Sequence, residues 1–204
     1  MNKKCYIVGA GDNSGTNFTK GINEYVIAAD GGLETLNQLA IVPDLIVGDF
    51  DSLGYVPKGN NVIRYKVEKD DTDMMLAVKK AMEMGFCTIE IFGGTGGRVD
   101  HTIANIQTML YASQKGVAIT MTAKAQTYYV ITNERITLES RPSGNLSVFA
   151  IGGDAWNVNV KGAKYVAAGL NLTPDNPTAV SNSYIGSDVT ISVERGSVLI
   201  ISDR

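Results

Sequence analysis

Two Asp-x-Asp pairs have the residue types and spacing best suited to chemistry in this sequence. Asp49 and Asp51 flank a phenylalanine, and Asp71 and Asp73 flank a threonine. In an extended segment, residues i and i+2 point to the same side, so each pair presents two carboxylates to one ion. Neighbouring carboxylates repel each other, and a hard cation such as Mg²⁺ relieves that repulsion. One such pair more often marks a turn, but two pairs together predict a metal site.

A glycine-rich segment, Gly93–Gly97, offers the complementary chemistry for an anion. It follows an apolar run and leads into Arg98, Asp100 and His101. Glycine lets the backbone approach a ligand closely, and N–H groups at a helix start beside an arginine suit phosphate. Asp100 fits such a site only if a cation shares it, so the segment predicts a metal-bound polyphosphate. A strand-to-helix turn capped by an aspartate is the alternative, and the segment alone does not decide. For His101 a structural hydrogen bond is favoured over a catalytic base.

The first 124 residues alternate strand and helix patterns. Apolar residues at positions i, i+3, i+4 and i+7 predict a helix over Met74–Ala81, and a second one has Val99, Ile103, Ile106 and Leu110 on its apolar face. Short apolar strands alternating with helices indicate a parallel sheet covered on both faces. The predicted strands are Cys5–Val8, Tyr25–Ala29, Asp44–Val47, Val62–Tyr65, Thr88–Phe92 and Val117–Met121.

This alternation gathers the acidic residues at one edge of the sheet. Ligands of open α/β sheets bind outside the carboxyl ends of the strands. Lys69 and Arg98 would supply positive charge for phosphate there. The aspartates that follow the second to the fifth predicted strands are Asp30, Asp49, Asp51, Asp70, Asp71, Asp73 and Asp100.

The pattern changes near Lys124. Short β-like runs separated by Gly, Asn, Pro and Asp predict an all-β domain over residues 125–204, a small sandwich or barrel. The runs are Gln126–Thr132, Arg135–Leu138, Asn145–Ile151, Trp156–Val160, Val189–Val193 and Val198–Ser202.

Composition excludes several classes of protein. A net charge of -3 and a pI of about 5.2 give no electrostatic footprint for nucleic acid. The first apolar run, Cys5–Val8, is too short for a signal-peptide core or a membrane span. Cys5 and Cys87 lie in apolar runs without a CxxC motif, which predicts two buried, reduced cysteines in a cytoplasmic protein.

A dinucleotide fingerprint is a competing interpretation of the first strand. Gly9 and Gly11 follow that strand, and Asp30 ends the second. The third glycine is expected at position 14, where Ser14 stands, with Gly15 one place late. NAD binding would also leave both Asp-x-Asp pairs unexplained, so we disfavour it.

Taken in order, the motifs resemble those of the thiamine pyrophosphokinases, and the resemblance covers nearly the whole chain. Any one motif would be weak, but the ordered set is specific. The motifs are Ala29-Asp30-Gly31-Gly32, Gly48-Asp49-Phe50-Asp51-Ser52, Lys69-Asp70-Asp71-Thr72-Asp73, Gly93–His101, Gly162-Ala163-Lys164-Tyr165 and Ser181-Asn182-Ser183.

The resemblance implies a Rossmann-like α/β domain over residues 1–124 and a β-sandwich over 125–204 that binds thiamine and forms the dimer. It also implies a homodimer with active sites between subunits, and no membrane or nucleic-acid partner. The implied reaction is Mg²⁺-dependent transfer of pyrophosphate from ATP to the thiamine hydroxyl, giving thiamine diphosphate and AMP. A metal-dependent phosphohydrolase and a non-catalytic nucleotide- or thiamine-diphosphate-binding protein are the alternatives.

Site residues follow from the resemblance position by position. The implied metal ligands are Asp49, Asp51 and Asp73. The implied catalytic residues are Asp71, Asp73, Asp100 and Arg98, where Asp71 and Asp100 ligate metal or orient the hydroxyl. The implied ATP- and phosphate-binding residues are Asp30, Gly31, Lys69, Thr72, Gly93, Gly94, Thr95 and Arg98. The implied thiamine-binding residues are Tyr165, Ser181 and Asn182.

Two positions depart from the family pattern. Ser183 stands where many bacterial members have Glu, and Gly162–Tyr165 is looser than the usual Gly-Leu-Lys-aromatic. Acceptor preference is therefore less well specified by the resemblance than the phosphoryl chemistry. Trp156, between two β runs, is interpreted as a core or interface residue.

Overall fold

The computed structural model describes residues 3–51, 53–66 and 70–204, and the chain divides into two compact units. The first unit comprises Met1–Ala112 with Val117–Lys124, and the second comprises Ser113–Gly116 with Ala125–Arg204. In chain order the elements are β1 (Lys4–Val8), β2 (Tyr25–Ala29), α1 (Gly32–Gln38), β3 (Leu45–Gly48), β4 (Val62–Arg64), α2 (Asp73–Glu83), β5 (Thr88–Phe92), α3 (Val99–Ser113), β6 (Ala118–Thr122), β7 (Gln126–Thr132), β8 (Arg135–Leu138), β9 (Asn145–Ala150), β10 (Ala155–Lys161), β11 (Ala167–Leu172), β12 (Asn182–Ser183), β13 (Val189–Ser192) and β14 (Ser197–Asp203).

Strands β1 to β6 form the parallel sheet of the first unit, which confirms a mixed α/β fold. Their order is β6-β5-β1-β2-β3-β4, and each pairing among them is parallel. The chain moves outward from β1 to β4 and then resumes on the other side of β1 with β5 and β6. Strand order therefore reverses between β1 and β5, and in open α/β sheets the crevice at such a reversal binds ligands.

Buried apolar residues form the core of this unit. Strands β1 and β2 are buried at all but their first residue, as expected for strands covered on both faces. Leu33 and Leu36 of α1 pack in one cluster with Val8 and Val26 of the sheet. The predicted face of α2 is also correct, because the buried residues of that helix are Met74, Ala77, Val78 and Ala81.

The predicted face of α3 is only partly correct, because Ile106 and Leu110 are half-buried but its first two residues are exposed. Val99 and Ile103 are 72% and 54% exposed, whereas Asn105 and Thr108 are buried. The two polar side chains are buried because hydrogen bonds satisfy them: Asn105 Nδ2 donates to Gly94 O, and Thr108 Oγ1 donates to Ala104 O. Apolar periodicity does not detect a helix face of this kind.

The expected alternation of strand and helix fails after β1. Residues 9–24 lead directly to β2 without a helix. A dinucleotide fingerprint requires its glycines to open a helix after the first strand, so the NAD interpretation lacks its structural context.

The second unit contains two antiparallel sheets. Their strand orders are β12-β9-β14-β7 and β11-β10-β13-β8. Residues from both sheets, such as Val148 and Val198 on one and Val158 and Ile191 on the other, share one apolar cluster. Strands β11 and β12 are absent from the sequence prediction, because β11 is mostly exposed and irregularly paired and β12 has only two residues.

The cysteine prediction is half correct. Cys5 is buried, whereas Cys87 is exposed and directly precedes β5 rather than lying within the strand. Burial raises the pKa of the Cys5 thiol. In the part of the chain that the structure describes, no helix combines the length and the apolar character that a membrane crossing requires.

Candidate active site

A cavity of about 480 Å³ lies at the carboxyl ends of the first unit's strands. The loops after β1, β2, β3 and β5 line it, together with the first residues of α2 and the start of α3. This is the place that the reversal of strand order predicts. Its lining residues are Gly9–Gly11, Ala29, Asp30, Asp49, Asp51, Thr72–Met74, Gly93–Arg98, His101, Ala104 and Asn105.

Three carboxylates meet within this cavity. One ligand oxygen from each of Asp30, Asp49 and Asp51 lies within 4.8 Å of the others. Asp49 is 9% exposed, and Asp51 is exposed. Carboxylates this close repel one another, and a divalent cation with oxygen ligands relieves the repulsion. The donor set therefore fits a hard metal ion such as Mg²⁺.

Left-handed backbone conformations bring these carboxylates together, whereas the sequence predicted an extended segment. Phe50 has φ +67°, so Asp49–Asp51 is a turn and not an extended segment, and Asp51 N donates to Asp49 Oδ1 at 3.2 Å. The phenylalanine ring is buried in the apolar cluster with Val26, which stabilises this conformation. Asp30 also has a positive φ, +48°. Non-glycine residues with such backbone strain cluster at functional sites.

Gly48 explains how Asp30 reaches the pair that follows β3. Asp30 N donates to Val47 O at 2.8 Å, which draws the end of β2 against β3. A Cβ on Gly48 would lie 3.1 Å from the Asp30 Cα, a distance that leaves little room for a side chain. The glycine before Asp49 thus allows the close approach of Asp30, and the sequence analysis assigned it no role.

Only one aspartate of the second Asp-x-Asp pair, Asp73, lines the cavity. Asp73 lines the cavity from the first turn of α2, where Thr72 caps the helix by accepting from Met75 N at 3.2 Å. Asp71 is not among the lining residues, and its Oδ2 lies 2.6 Å from Lys79 Nζ. Neither residue belongs to the carboxylate triplet among the described residues. Lys69, the predicted phosphate ligand, lies outside the described residues, and Gly31 does not line the cavity.

The glycine segment packs against the loop that follows β1. Gly11 N donates to Gly93 O at 2.9 Å, and Asp12 N donates to Thr95 O at 2.6 Å. A Cβ on Gly93 would lie 2.4 Å from Gly9 O, and one on Gly11 would lie 2.3 Å from Thr95 O. These glycines therefore allow the loops after β1 and β5 to pack closely together. The sequence suggested only that they allow a ligand to approach. Gly93, Gly94 and Thr95 still face the cavity.

Two asparagines brace these loops. Asn13 Nδ2 donates to Gly9 O at 2.9 Å and to Gly11 O at 3.1 Å. Asn105, 8% exposed, donates from Nδ2 to Gly94 O at 2.7 Å. Sequence reasoning missed both, because an isolated asparagine in a loop or helix gives no signal of the backbone group that it contacts.

Arg98 and Asp100 form a two-pronged ion pair at the start of α3. Arg98 Nη2 lies 2.5 Å from Asp100 Oδ2, and Arg98 Nε donates to Oδ1 at 3.2 Å. The hydrogen bond from Arg98 lowers the pKa of Asp100 below its usual value. Arg98 and His101 line the cavity, and Asp100 is not among the lining residues.

The predicted thiamine-binding residues lie close together in the second unit. Tyr165 is 60% exposed, and its backbone is hydrogen-bonded to the Asn182 side chain. Ser181 has φ +60° and donates from its backbone N to Ser147 Oγ at 3.1 Å. Trp156 is 39% exposed, with the Arg195 guanidinium 5.0 Å from its ring, so it is not a core residue of this unit.

Two family models match the chain in succession. The model described as "Thiamin pyrophosphokinase, catalytic domain" matches residues 21–121, and "Thiamin pyrophosphokinase, vitamin B1 binding domain" matches residues 133–198.

Individual relatives agree with these models. The thiamine pyrophosphokinase of Bacillus subtilis (strain 168) is 29% identical over 182 residues, which cover 86% of this chain and 85% of that protein. The crystal structure of the Bacillus subtilis thiamine pyrophosphokinase has a TM-score of 0.85 and 25% identity over 98% of both chains. The thiamin pyrophosphokinase of Geobacillus thermodenitrificans shares the fold, with a TM-score of 0.83 and 24% identity over 98% of this chain and 97% of that one.

Proposed function

The chain belongs to the thiamin pyrophosphokinase family, and we propose on this premise that it transfers pyrophosphate from ATP to the hydroxyl of thiamine. The products are thiamine diphosphate and AMP. The observation that carries the proposal is the triplet of Asp30, Asp49 and Asp51, which shares one cavity with the glycine segment. Metal ligands beside a phosphate cradle suit a nucleotide polyphosphate as donor.

The proposed metal ion is Mg²⁺, held by Asp30, Asp49 and Asp51. Asp30 is an addition to the ligand set that the motifs imply, and it is supported by the 4.8 Å grouping. Asp73 lines the same cavity, and we keep it as a further ligand on the strength of the family resemblance. These carboxylates would hold the ion, which would supply positive charge to offset the negative charge that develops during transfer.

The proposed phosphate contacts come from the glycine segment and the start of α2. Gly93, Gly94 and Thr95 line the cavity, as do Arg98 and Thr72 at the start of α2. Arg98 offers a forked set of donors suited to phosphate oxygens. Gly31 and Lys69 remain proposed contacts on the resemblance alone. Phosphoryl transfer depends mainly on positioning and electrostatics, so the reaction needs no covalent nucleophile.

In the proposed reaction the thiamine hydroxyl oxygen attacks the β-phosphorus of ATP in line with the departing AMP. Asp71 and Asp100, which the resemblance implies can orient the hydroxyl, are the candidates to accept its proton. Each of them is held in an ion pair, Asp71 with Lys79 and Asp100 with Arg98. A lowered pKa also makes Asp100 a weaker base. We therefore assign both residues to orientation of the site. The hydroxyl proton is released to solvent, and the departing AMP keeps the electron pair of the broken P–O bond.

The proposal extends to the organisation of the protein. It includes a Rossmann-like domain over residues 1–124 with helices on both faces, and a β-sandwich domain over 125–204 that binds thiamine at Tyr165 and Ser181, with Asn182 beside them. It also includes a homodimer with active sites between subunits, as the resemblance implies. A cytoplasmic location is also part of the proposal, because the sequence has only two cysteines and no CxxC motif.

The test is product formation from ATP, thiamine and Mg²⁺. We expect AMP and thiamine diphosphate in equal amounts, and no AMP when thiamine is omitted. Asp49→Asn should abolish most turnover, whereas Asp175→Asn, which changes an exposed aspartate of the second unit, should not. Other alcohols should also be tested as acceptors, because the motif around Tyr165 departs from the family pattern and leaves the acceptor preference open.

Two outcomes would overturn the proposal. Release of phosphate or pyrophosphate from ATP without thiamine would identify a metal-dependent phosphohydrolase. Binding of ATP or thiamine diphosphate without AMP formation under any tested acceptor would identify a non-catalytic binding protein.

A further inference from the structure

We propose that Asn182 is a positioning residue, which acts on the acceptor by fixing Tyr165 and does not touch the acceptor itself. The inference deepens the proposed function and rests on it for the identity of the acceptor. Its basis is a pair of hydrogen bonds to one residue's backbone. Asn182 Oδ1 accepts from Tyr165 N at 2.9 Å, and Asn182 Nδ2 donates to Tyr165 O at 2.7 Å.

This pair of bonds uses most of the side chain's hydrogen-bonding capacity. A carboxamide oxygen has two lone pairs, and Asn182 Oδ1 accepts a second bond from Ser183 N at 2.9 Å. Nδ2 has already given one of its two hydrogens to Tyr165 O. A ligand that bonded Asn182 directly would therefore compete with contacts that hold the protein's own backbone.

Neighbouring contacts hold the same loop. Lys164 N donates to Ser183 O at 2.9 Å, and Ala163 forms an antiparallel bridge with Tyr184. The loop around Tyr165 is thus attached to β12 by its main chain and by the Asn182 side chain. None of these hydrogen bonds involves the Tyr165 ring. They fix the backbone of Tyr165 and leave its ring accessible to a ligand.

The ring itself suits a flat, electron-poor partner. Tyr165 is 60% exposed, and Lys164 Nζ already lies 5.3 Å from the ring centroid, over the aromatic face. A cationic or electron-poor aromatic ring, such as those of thiamine, can take up the same kind of contact. Holding the tyrosine backbone before binding reduces the conformational entropy that binding must remove.

A double-mutant cycle separates the two roles of Asn182. We expect Asn182→Ala to raise the KM for thiamine by about three- to tenfold, the value of one or two hydrogen bonds, with the KM for ATP unchanged. If Asn182 acts through Tyr165, the pair Asn182→Ala with Tyr165→Ala has the KM of Tyr165→Ala alone. If the two single effects multiply instead, Asn182 contacts the acceptor directly and the inference is wrong.

Asn159 provides a matched control. It is another asparagine of the second unit that bridges backbone groups, donating from Nδ2 to Asn157 O at 2.8 Å and accepting from Gly169 N at 3.0 Å. Asn159→Ala removes the same kind of bridge at β10 and β11, and we expect the KM for thiamine to stay at the wild-type value.

Hydrogen exchange tests the backbone contact without reference to activity. In Asn182→Ala the Tyr165 amide should exchange at least about tenfold faster than in the wild type, and in Asn159→Ala it should not change. Unchanged exchange in Asn182→Ala would disprove the positioning role. If the wild type forms no thiamine diphosphate, the proposed function fails, and the exchange result still decides whether Asn182 fixes Tyr165.

Discussion

Lys79 Nζ lies 2.6 Å from Asp71 Oδ2, so an ion pair ties the segment before α2 to the helix itself. The same ammonium lies 5.6 Å from the Tyr111 ring centroid on α3. The hydrogen bond to Asp71 raises the pKa of Lys79, as expected for a charged lysine paired with a carboxylate. One of the two motif aspartates is thereby held by the protein, while its neighbour Asp73 lines the cavity.

Removing the lysine should disturb the site through Asp71. We expect Lys79→Gln to lower kcat/KM several-fold, because the start of α2 loses a contact, while stability changes little because the ion pair is partly exposed. Lys79→Arg should restore most activity. Steady-state kinetics of Lys79→Gln, Asp71→Asn and the double variant provide the check. Independent effects of the two single variants would contradict the coupling.

Mg²⁺ should stabilise the wild-type protein through the carboxylate triplet. At about a hundredfold excess over its dissociation constant, the ion should raise Tm by about 5–10 °C. Asp49→Asn should remove this shift and lower kcat/KM by at least about a hundredfold, because one ligand is lost. Thermal unfolding with and without Mg²⁺ measures the effect, and Asp175→Asn serves as the control. An equal shift in Asp49→Asn would rule out the triplet as the metal site.

Two glycines of the same segment should respond differently to alanine. Gly93 has φ +62°, and an added Cβ would lie 2.4 Å from Gly9 O, so Gly93→Ala should cost more than about 3 kcal/mol in the free energy of unfolding. Gly97 has φ +71° with open space around the Cβ position, so Gly97→Ala should cost only about 1–2 kcal/mol. Denaturant unfolding compares them, and equal losses would contradict the packing of the two loops.

The ion pair between Arg98 and Asp100 should be detectable as a lowered pKa of Asp100 in a pH titration. The pKa of Asp100 is lowered in the folded protein, so the pair contributes to stability above the unfolded pKa of about 3.9 and loses that contribution as pH falls through the folded pKa. Arg98→Ala should return the pKa of Asp100 towards its ordinary value. NMR titration of the carboxyl carbon measures this, with Arg195→Ala as a control that should leave it unchanged. A pKa unmoved in Arg98→Ala would show that another group lowers it.

Helix faces show where sequence patterns succeed and where they fail. The face of α2 was predictable because its buried residues are apolar and recur at helical spacing. The face of α3 was only partly predictable, because Asn105 is buried through a hydrogen bond to Gly94, a residue eleven positions away on a loop. Burial of a polar side chain depends on its partner, and periodicity contains no information about partners.

The sequence by itself determined the six strands of the first unit, the positions of the acidic residues at strand ends and the motif order of the family. Those features depend on local spacing and residue type. Only the tertiary structure decided that Asp30 joins Asp49 and Asp51, and that Asp71 pairs with Lys79 instead. The first outcome depends on the left-handed backbone at Asp30 and Phe50 and on the pairing of β2 with β3, and the second on the position of Lys79 in α2. Contacts between residues distant in sequence fix these features, and no local pattern encodes them.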